Sequence, residues 1–478
     1  MRNYAKLPVF VLFVCAVQVS VAAGQETIFE NAPKVTPNTT NEMQTPGFWI
    51  SRLDGDPDEV ILTPGQIARL NTETQHLPDK IKKMKDINGD SYSIDGVIKY
   101  NDITGAQYSV VDPLSITSFP GDSLRARLRT HREYFESRTY YDHRRMVFDD
   151  DKKNELYLMT DASSIPDVII PMYGIITTQT NCRVLPTNEI AYGTPEQWYV
   201  RGLQAASCDV AIPVAVLHES RDKDWYYVRT EVSFGWVPAV DIAVGTPGEI
   251  RKYLESNNFI VAVEHKVPVY SDNTFSSFMT DIYMGSRIKL VNRTGKGYHV
   301  QVPFRMPDGK MRIVDGWVRS DAKVSVGYQP LTRRNMINTL FSLLYRPYAW
   351  NDAGDEWNCC GYIRVVLRTF GITVGSWPAF QIHYTDNVYA FPADTPRATK
   401  YRYLEKCDPG VCLLGSDGHI NVYLGKVNGR YYVIHMGGYD YTEDDGKVMM
   451  FRRVNVNETE LEGSYNVDDW TKISTLEQ

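Results

Sequence analysis

The sequence predicts an α+β protein built from several units, and three observations carry that reading. At 478 residues the chain exceeds one ordinary domain, so three or four are expected. Two successive stretches, 165–246 and 247–327, are rich in Val, Ile, Thr and Tyr, are broken by Gly, Pro and Asn, and close on Gly-Trp-Val. The remainder, 328–478, reads as apolar helices followed by strands.

Residues 1–23 read as a secretory leader. Arg2 and Lys6 precede an apolar run from Leu7 to Val19, and Val21-Ala22-Ala23 offers small residues for cleavage. Cys15 lacks the small residue just before it that a lipoprotein signal needs. No later run is long and apolar enough to span a bilayer. A periplasmic or secreted protein with no membrane attachment after cleavage is therefore expected. Residues 24–46 are polar, with scattered Pro and Thr and no periodicity, and predict a flexible linker.

From 47 to 164 the pattern is mixed and carries no recognisable chemistry, so a scaffolding domain is expected. Thr63 followed by Pro64 marks a helix start within Leu62–Asn71, and Leu124–Phe135 predicts another helix. The two β-rich stretches follow. Gly235-Trp236-Val237-Pro238 closes one and Gly316-Trp317-Val318-Arg319 the other, which predicts an internal repeat of small barrels. Their aromatic residues are expected to fill barrel cores. Leu331–Tyr345 then predicts a helix with Thr332 as its cap.

The chemistry gathers around Asn358-Cys359-Cys360-Gly361. Ile363, Val366, Leu367 and Phe370 repeat at helical spacing, Asn358 suits an N-cap and Gly371 a stop. Cys359 would then stand where the helix dipole and backbone N–H groups favour a thiolate. Of seven cysteines six follow the leader. Cys182 with Cys208, and Cys407 with Cys412, are the expected disulfides in an oxidising compartment, leaving Cys359 and Cys360. A thiol needs a base, and the base needs an orienting partner. Two strands framing Val427-Asn428-Gly429 supply His419 and His435. A two-residue Asn-Gly turn would put them on opposite faces, whereas a three-residue loop pairing Lys426 with Arg430 would bring them together. The three-residue loop is the expectation, with His419 as base and His435 as its partner.

Composition excludes other classes. The net charge of −7 argues against nucleic-acid binding. Neither a phosphate loop nor zinc-type spacing occurs, so no cofactor and no metal is expected.

Tyr348-Ala349-Trp350, Asn358-Cys359-Cys360-Gly361-Tyr362, Gly418-His419-Ile420-Asn421-Val422-Tyr423-Leu424-Gly425 and Val433-Ile434-His435 together resemble the NlpC-type, papain-like cell-wall cysteine peptidases. Their pattern is D-C-S-G, then G-H-x-x-x-Y-L-G, then I-H. Tyr173-Gly174-Ile175, Arg183-Val184-Leu185-Pro186-Thr187 and Gly235–Ala239 resemble the first bacterial SH3-like barrel of the multidomain branch, Gly327–Thr332 the exit from the second, and Trp49–Leu53 its N-terminal stabilising domain. The resemblance implies a papain-like domain over 328–478, preceded by SH3-like barrels over 165–246 and 247–327 and a mixed helical domain over 47–164. It implies Cys359 as nucleophile, His419 as base and His435 as third member, with hydrolysis of the γ-D-glutamyl–diamino acid amide of peptidoglycan stem peptides. A first barrel packed on the catalytic domain implies preference for fragments with a free N-terminal L-alanine. Tyr348, Asn358, Cys360 and Trp236 are the expected substrate-binding residues. A monomer acting on stem peptides or muropeptide fragments is expected.

Four departures fall on the substrate side: Asn358 for Asp, Cys360 for Ser, Trp350-Asn351-Asp352 for Trp-Gly-Gly, and Pro378-Ala379-Phe380-Gln381 for Pro-Arg-x-Ser. They predict an altered stem-peptide preference and leave two alternatives open, a wall-binding protein with decayed catalysis and an amidase or transpeptidase on the same triad.

Overall fold

The computed structural model describes residues 29–31, 35–91, 110–196, 202–438, 440–442, 448–462 and 465–477. The secretory leader read in 1–23 lies outside them. Among the described residues no helix is long and apolar enough to cross a membrane.

Helix and sheet are segregated along the chain, as an α+β fold requires. The two β-rich stretches each form a seven-stranded antiparallel sheet. Numbered within its own stretch, each sheet has the same spatial order, seventh-first-fourth-fifth-sixth-second-third. The shared Gly-Trp-Val lies on the sixth strand of both, Phe234–Pro238 and Met311–Arg319. Equal strand order at equal position is what an internal repeat produces.

The tryptophans of the two tetrapeptides have different surroundings. Trp236 is fully buried beneath Leu124 and Leu128 of the helix Gly121–Glu136, with its ring 5.2 Å from that of Tyr227. It is barrel core and lines no cleft, which corrects its assignment as a substrate-binding residue. Trp317 is only partly buried and stacks on His299.

The third sheet has six strands, ordered Val388–Ala390, Lys472–Thr475, Cys412–Gly415, Ile420–Val427, Arg430–Met436 and Val454–Glu458. The helix Cys359–Arg368 packs on it, and every residue from Cys359 to Leu367 is buried. Ile363, Val366 and Leu367 face the sheet core with Ile420, Val422 and Ile434. The opposite side is closed by both upstream sheets: Arg368 pairs with Asp209 at 2.8 Å, and Gly285 abuts the carbonyl of Val365. A helix covered on all sides must be apolar nearly all round. Its buried exception, Arg364, is paired with Asp352.

The segment read as a flexible linker is in part ordered. Thr36 donates to the Val456 carbonyl at 2.6 Å, the Asn38 carbonyl accepts from the Tyr432 hydroxyl at 3.0 Å, and Met43 is buried. Residues Phe29–Asn31 pair in parallel with 448–450. These partners lie hundreds of residues away, so no local pattern announces them. The region 47–164 is likewise divided. Trp49, Leu62, Ile67 and Leu70 belong to the core beneath the cysteine helix, whereas Leu124, Phe135 and Leu156 pack with the first seven-stranded sheet and its loops. The capped helix at Thr63 is observed as Pro64–Glu73, with the reciprocal Thr63–Gln66 capping box.

All six described cysteines are buried, and none is joined to another by a disulfide. The expected bridges are thus not formed, yet each pair is in contact: Cys182 and then burial push the Cys208 thiol up, and burial and then Cys407 push up Cys412. Exposure to a glutathione disulfide buffer should close both pairs by thiol–disulfide exchange. Intact-mass analysis should then find each bridge two hydrogens lighter, with Cys359 still alkylatable.

Candidate active site

Cys359 occupies the first position of its helix. Asn358 caps that helix through Oδ1, which accepts the Gly361 N–H at 2.8 Å, while the Asn358 N–H donates to Asp352 Oδ1 at 2.9 Å. A Cβ on Gly361 would lie 2.0 Å from the same Asp352 oxygen, so only glycine fits there. Cys359 is 7% exposed, and its sulfur lies 3.9 Å from the carbonyl oxygen of Gly418, the residue before His419.

The histidines meet through an unexpected register. The hairpin turn is the two-residue Asn428-Gly429 form with left-handed φ of 51° and 83°, so Val427 faces Arg430, correcting the three-residue loop. A β-bulge between Tyr423 and Gly425 then shifts the pairing by one residue, so Tyr423 faces Val433 and Val422 faces Ile434. The shift returns His419 and His435 to one face. Their rings are joined by a 2.7 Å hydrogen bond between His419 Nε2 and His435 Nδ1. That bond occupies Nε2 and leaves Nδ1 as the His419 nitrogen able to serve a thiol.

Both rings are buried, at 2% and 0% exposure. Burial, and then the neighbouring His435, hold the His419 pKa well below its ordinary value, with Asn421 opposing weakly. Burial lowers His435 to about 3. Both are therefore neutral at pH 7, the state a base requires. Buried His383 is also lowered to about 3, chiefly by burial. In the unfolded chain all three should titrate near about 6.5. Below that pH the unfolded state binds protons that the folded state refuses. Their contribution to stability is complete above about pH 6.5 and should fall steadily toward pH 3. Urea midpoints measured at pH 7.5, 6 and 5 should decline in that order, and less steeply for His383→Gln.

The remaining sequence-derived residues divide. Tyr348 flanks the site: it bridges to Trp357, two residues before the cysteine, and its ring covers Gly438 beyond the His435 strand. Asn358 and Cys360 face the protein interior. The buried Cys360 thiol lies 3.0 Å from both Asn358 Oδ1 and the Ser376 carbonyl and shares its one proton between them, so both residues position the helix, contrary to their assignment to substrate.

Three neighbours escaped the sequence reading. Asn421 is buried on the face shared by the histidines, and its even spacing from His419 was the available signal. Asp352 accepts the Asn358 N–H at the base of the cysteine helix, from a loop in which Asn351 and Asp352 have φ of 49° and 58°. Asn and Asp tolerate this left-handed region best after glycine, so Asn-Asp can stand where the family pattern has Gly-Gly. Tyr465 stacks on His419 with ring centroids 3.8 Å apart and planes 6° from parallel, and nothing local in the sequence marked it.

The first seven-stranded sheet closes against this region. Asn351 donates to the Gln204 carbonyl, Gly354 to Asn181 Oδ1 and Ser376 to the Val232 carbonyl. A cavity of only about 20 Å³ remains among Ala205, Asn351, Asn358 and Trp377.

Residues 202–238, within the first sheet, match the SH3 domain of the SH3b1 type. The fold resembles that of an NlpC/P60 endopeptidase from Photobacterium damselae subsp. piscicida, with a TM-score of 0.70 over 94% of this chain and 99% of that one, at 16% identity. An NlpC/P60 family protein from Bacillus cereus aligns with 64% of this chain and 100% of its own at a TM-score of 0.44 and 14% identity. No curated protein sequence matches. The chain is thus similar in fold to an NlpC/P60 endopeptidase and carries an SH3-type segment.

Proposed function

We propose that the protein is a cell-wall cysteine peptidase cleaving the γ-D-glutamyl–diamino acid amide of peptidoglycan stem peptides through Cys359, His419 and His435. The single observation that carries the reading is the 2.7 Å His419–His435 bond, with the Cys359 sulfur at a helix start 3.9 Å from the carbonyl of the residue before His419. His419 Nδ1 takes the thiol proton, and the thiolate adds to the amide carbonyl carbon. The helix N-terminus and Tyr348 stabilise the oxyanion that forms. Imidazolium His419 returns the proton to the leaving amine as the C–N bond breaks, and water activated by the neutral ring then hydrolyses the thioester. His435 fixes the tautomer of His419.

The closure of the first sheet on the Asn351–Gly354 loop favours short fragments with a free N-terminal L-alanine over intact wall. The reading places the protein in the periplasm or outside the cell, after leader cleavage, as a monomer. Incubation with L-Ala-γ-D-Glu-diaminopimelate under reducing conditions should release diaminopimelate. Sedimentation with sacculi but no turnover would indicate the decayed wall-binding alternative. Release of an N-acylated transfer product would indicate a transpeptidase.

A further inference from the structure

The geometry points to Tyr465 as a positioning residue for His419, one that holds the base in plane and keeps water from its ring. The inference rests on the peptidase reading above.

The stack is close and nearly parallel, 3.8 Å between centroids at 6°. His419 is thereby held in two ways: edge-on by His435, at 2.7 Å and 88° between the rings, and face-on by Tyr465. Two perpendicular constraints fix an imidazole plane, and the free edge of His419, Nδ1, is then aimed without a search over χ2. The backbone at Tyr465 supports a functional reading. Its φ is 53°, a left-handed conformation that a bulky aromatic residue adopts rarely and only where the surroundings enforce it.

The enforcing structure follows directly. Val467 donates to the Thr459 carbonyl at 2.8 Å, and Asn466 caps the short turn Val467–Asp469. The Lys400 ammonium donates to the carbonyls of Val467 and Asp468, each at 2.9 Å, and the buried Trp470 completes the clamp. Tyr465 is itself only half-buried, so its ring stands between His419 and the outside. A dry environment strengthens the His419–His435 bond and lowers the His419 proton affinity. Among the described residues, the titratable groups around His419 are His435 on the facing strand, Cys359 on the helix, the Tyr465 phenol, and Asp417 in the loop leading to it, paired with Lys472 at the start of the strand Lys472–Thr475.

Kinetics on L-Ala-γ-D-Glu-diaminopimelate with Tyr465→Leu and Tyr465→Phe test this. Tyr465→Leu should lower kcat by about tenfold or more with KM within about twofold, a geometric loss confined to the base. The acid limb of its kcat/KM profile should move to higher pH, because water admitted to the ring raises the His419 pKa. Tyr465→Phe, which keeps the ring, should restore kcat to within about threefold. The alkylation rate of Cys359 by iodoacetamide should show the same acid-limb shift without any substrate. A KM-only effect, an unmoved acid limb, or a Phe variant as impaired as the Leu variant overturns the inference while wild-type turnover leaves the peptidase reading standing. A wild-type protein that does not turn over the peptide overturns that reading first.

Discussion

Cys359→Ala should abolish release of diaminopimelate, with kcat reduced by at least ~10⁴-fold. Of the two thiols at the helix start, Cys360 is turned toward Asn358 and Ser376, which leaves the Cys359 sulfur to form the covalent intermediate. Stability should change little by comparison. Truncating Cys359 removes one sulfur from a site that is already at the edge of the core. A variant with an unchanged urea midpoint and no turnover fits the scheme. A variant that keeps more than a few per cent of wild-type turnover would remove Cys359 from the mechanism.

Asp352→Asn should cost far more in folding, about 3–5 kcal/mol, because it leaves the Arg364 charge buried without its carboxylate. The pair is closed at 2.6 Å, and both side chains are almost wholly inaccessible. Burial pushes the Asp352 carboxyl upward, and Arg364 and the Asn358 N–H oppose that rise. Both carboxylate oxygens are used: Oδ2 receives the guanidinium and Oδ1 the N-cap backbone. Loss of either contact loosens the turn that delivers Cys359. Urea denaturation should therefore show a large midpoint shift with little change in m-value. The double variant Asp352→Asn, Arg364→Met should recover part of the loss, since it removes the stranded charge. Additive losses in the double variant would show that the two residues act separately.

Much of the site was legible in the sequence because its determinants are local. An asparagine before an apolar helix, a cysteine at its first turn and a glycine at its end are read from neighbouring residues. The repeat of small sheets was legible through Gly-Trp-Val, although the same tripeptide does not dictate whether its tryptophan is covered. That depends on Leu124 and Leu128, a hundred residues upstream of Trp236. The histidine pair shows how a correct juxtaposition can be expected for an incorrect reason. Turn chemistry at Asn428-Gly429 followed its ordinary preference, and the compensating bulge sat four residues away, with Gly425 at a φ of 133° as its only mark. The ordered arm at 35–46 and the Tyr465 stack were not legible, because both depend on partners distant in the chain.

Substitutions in the substrate-side motifs also acquire a physical meaning. Asn358 and Cys360 make one hydrogen-bonded unit with Ser376 and Gly361, so a serine or aspartate introduced at either position would change the helix cap before it changed any contact with a peptide. Gln381, from the segment that departs from Pro-Arg-x-Ser, donates to the Cys360 and Gly375 carbonyls and extends that unit.

The sharing of one apolar core between Trp49, Leu62 and Leu70 near the beginning of the chain and Ile363, Val422 and Ile434 near its end has a bearing on biogenesis. The residues made first on the ribosome cannot find their partners until the last strands have emerged. Until then, both halves present greasy surface to the surroundings, a state prone to self-association and dependent on escort. For the same reason a fragment beginning at residue 328 lacks part of its own interior and should be recovered as aggregate rather than as a free-standing domain.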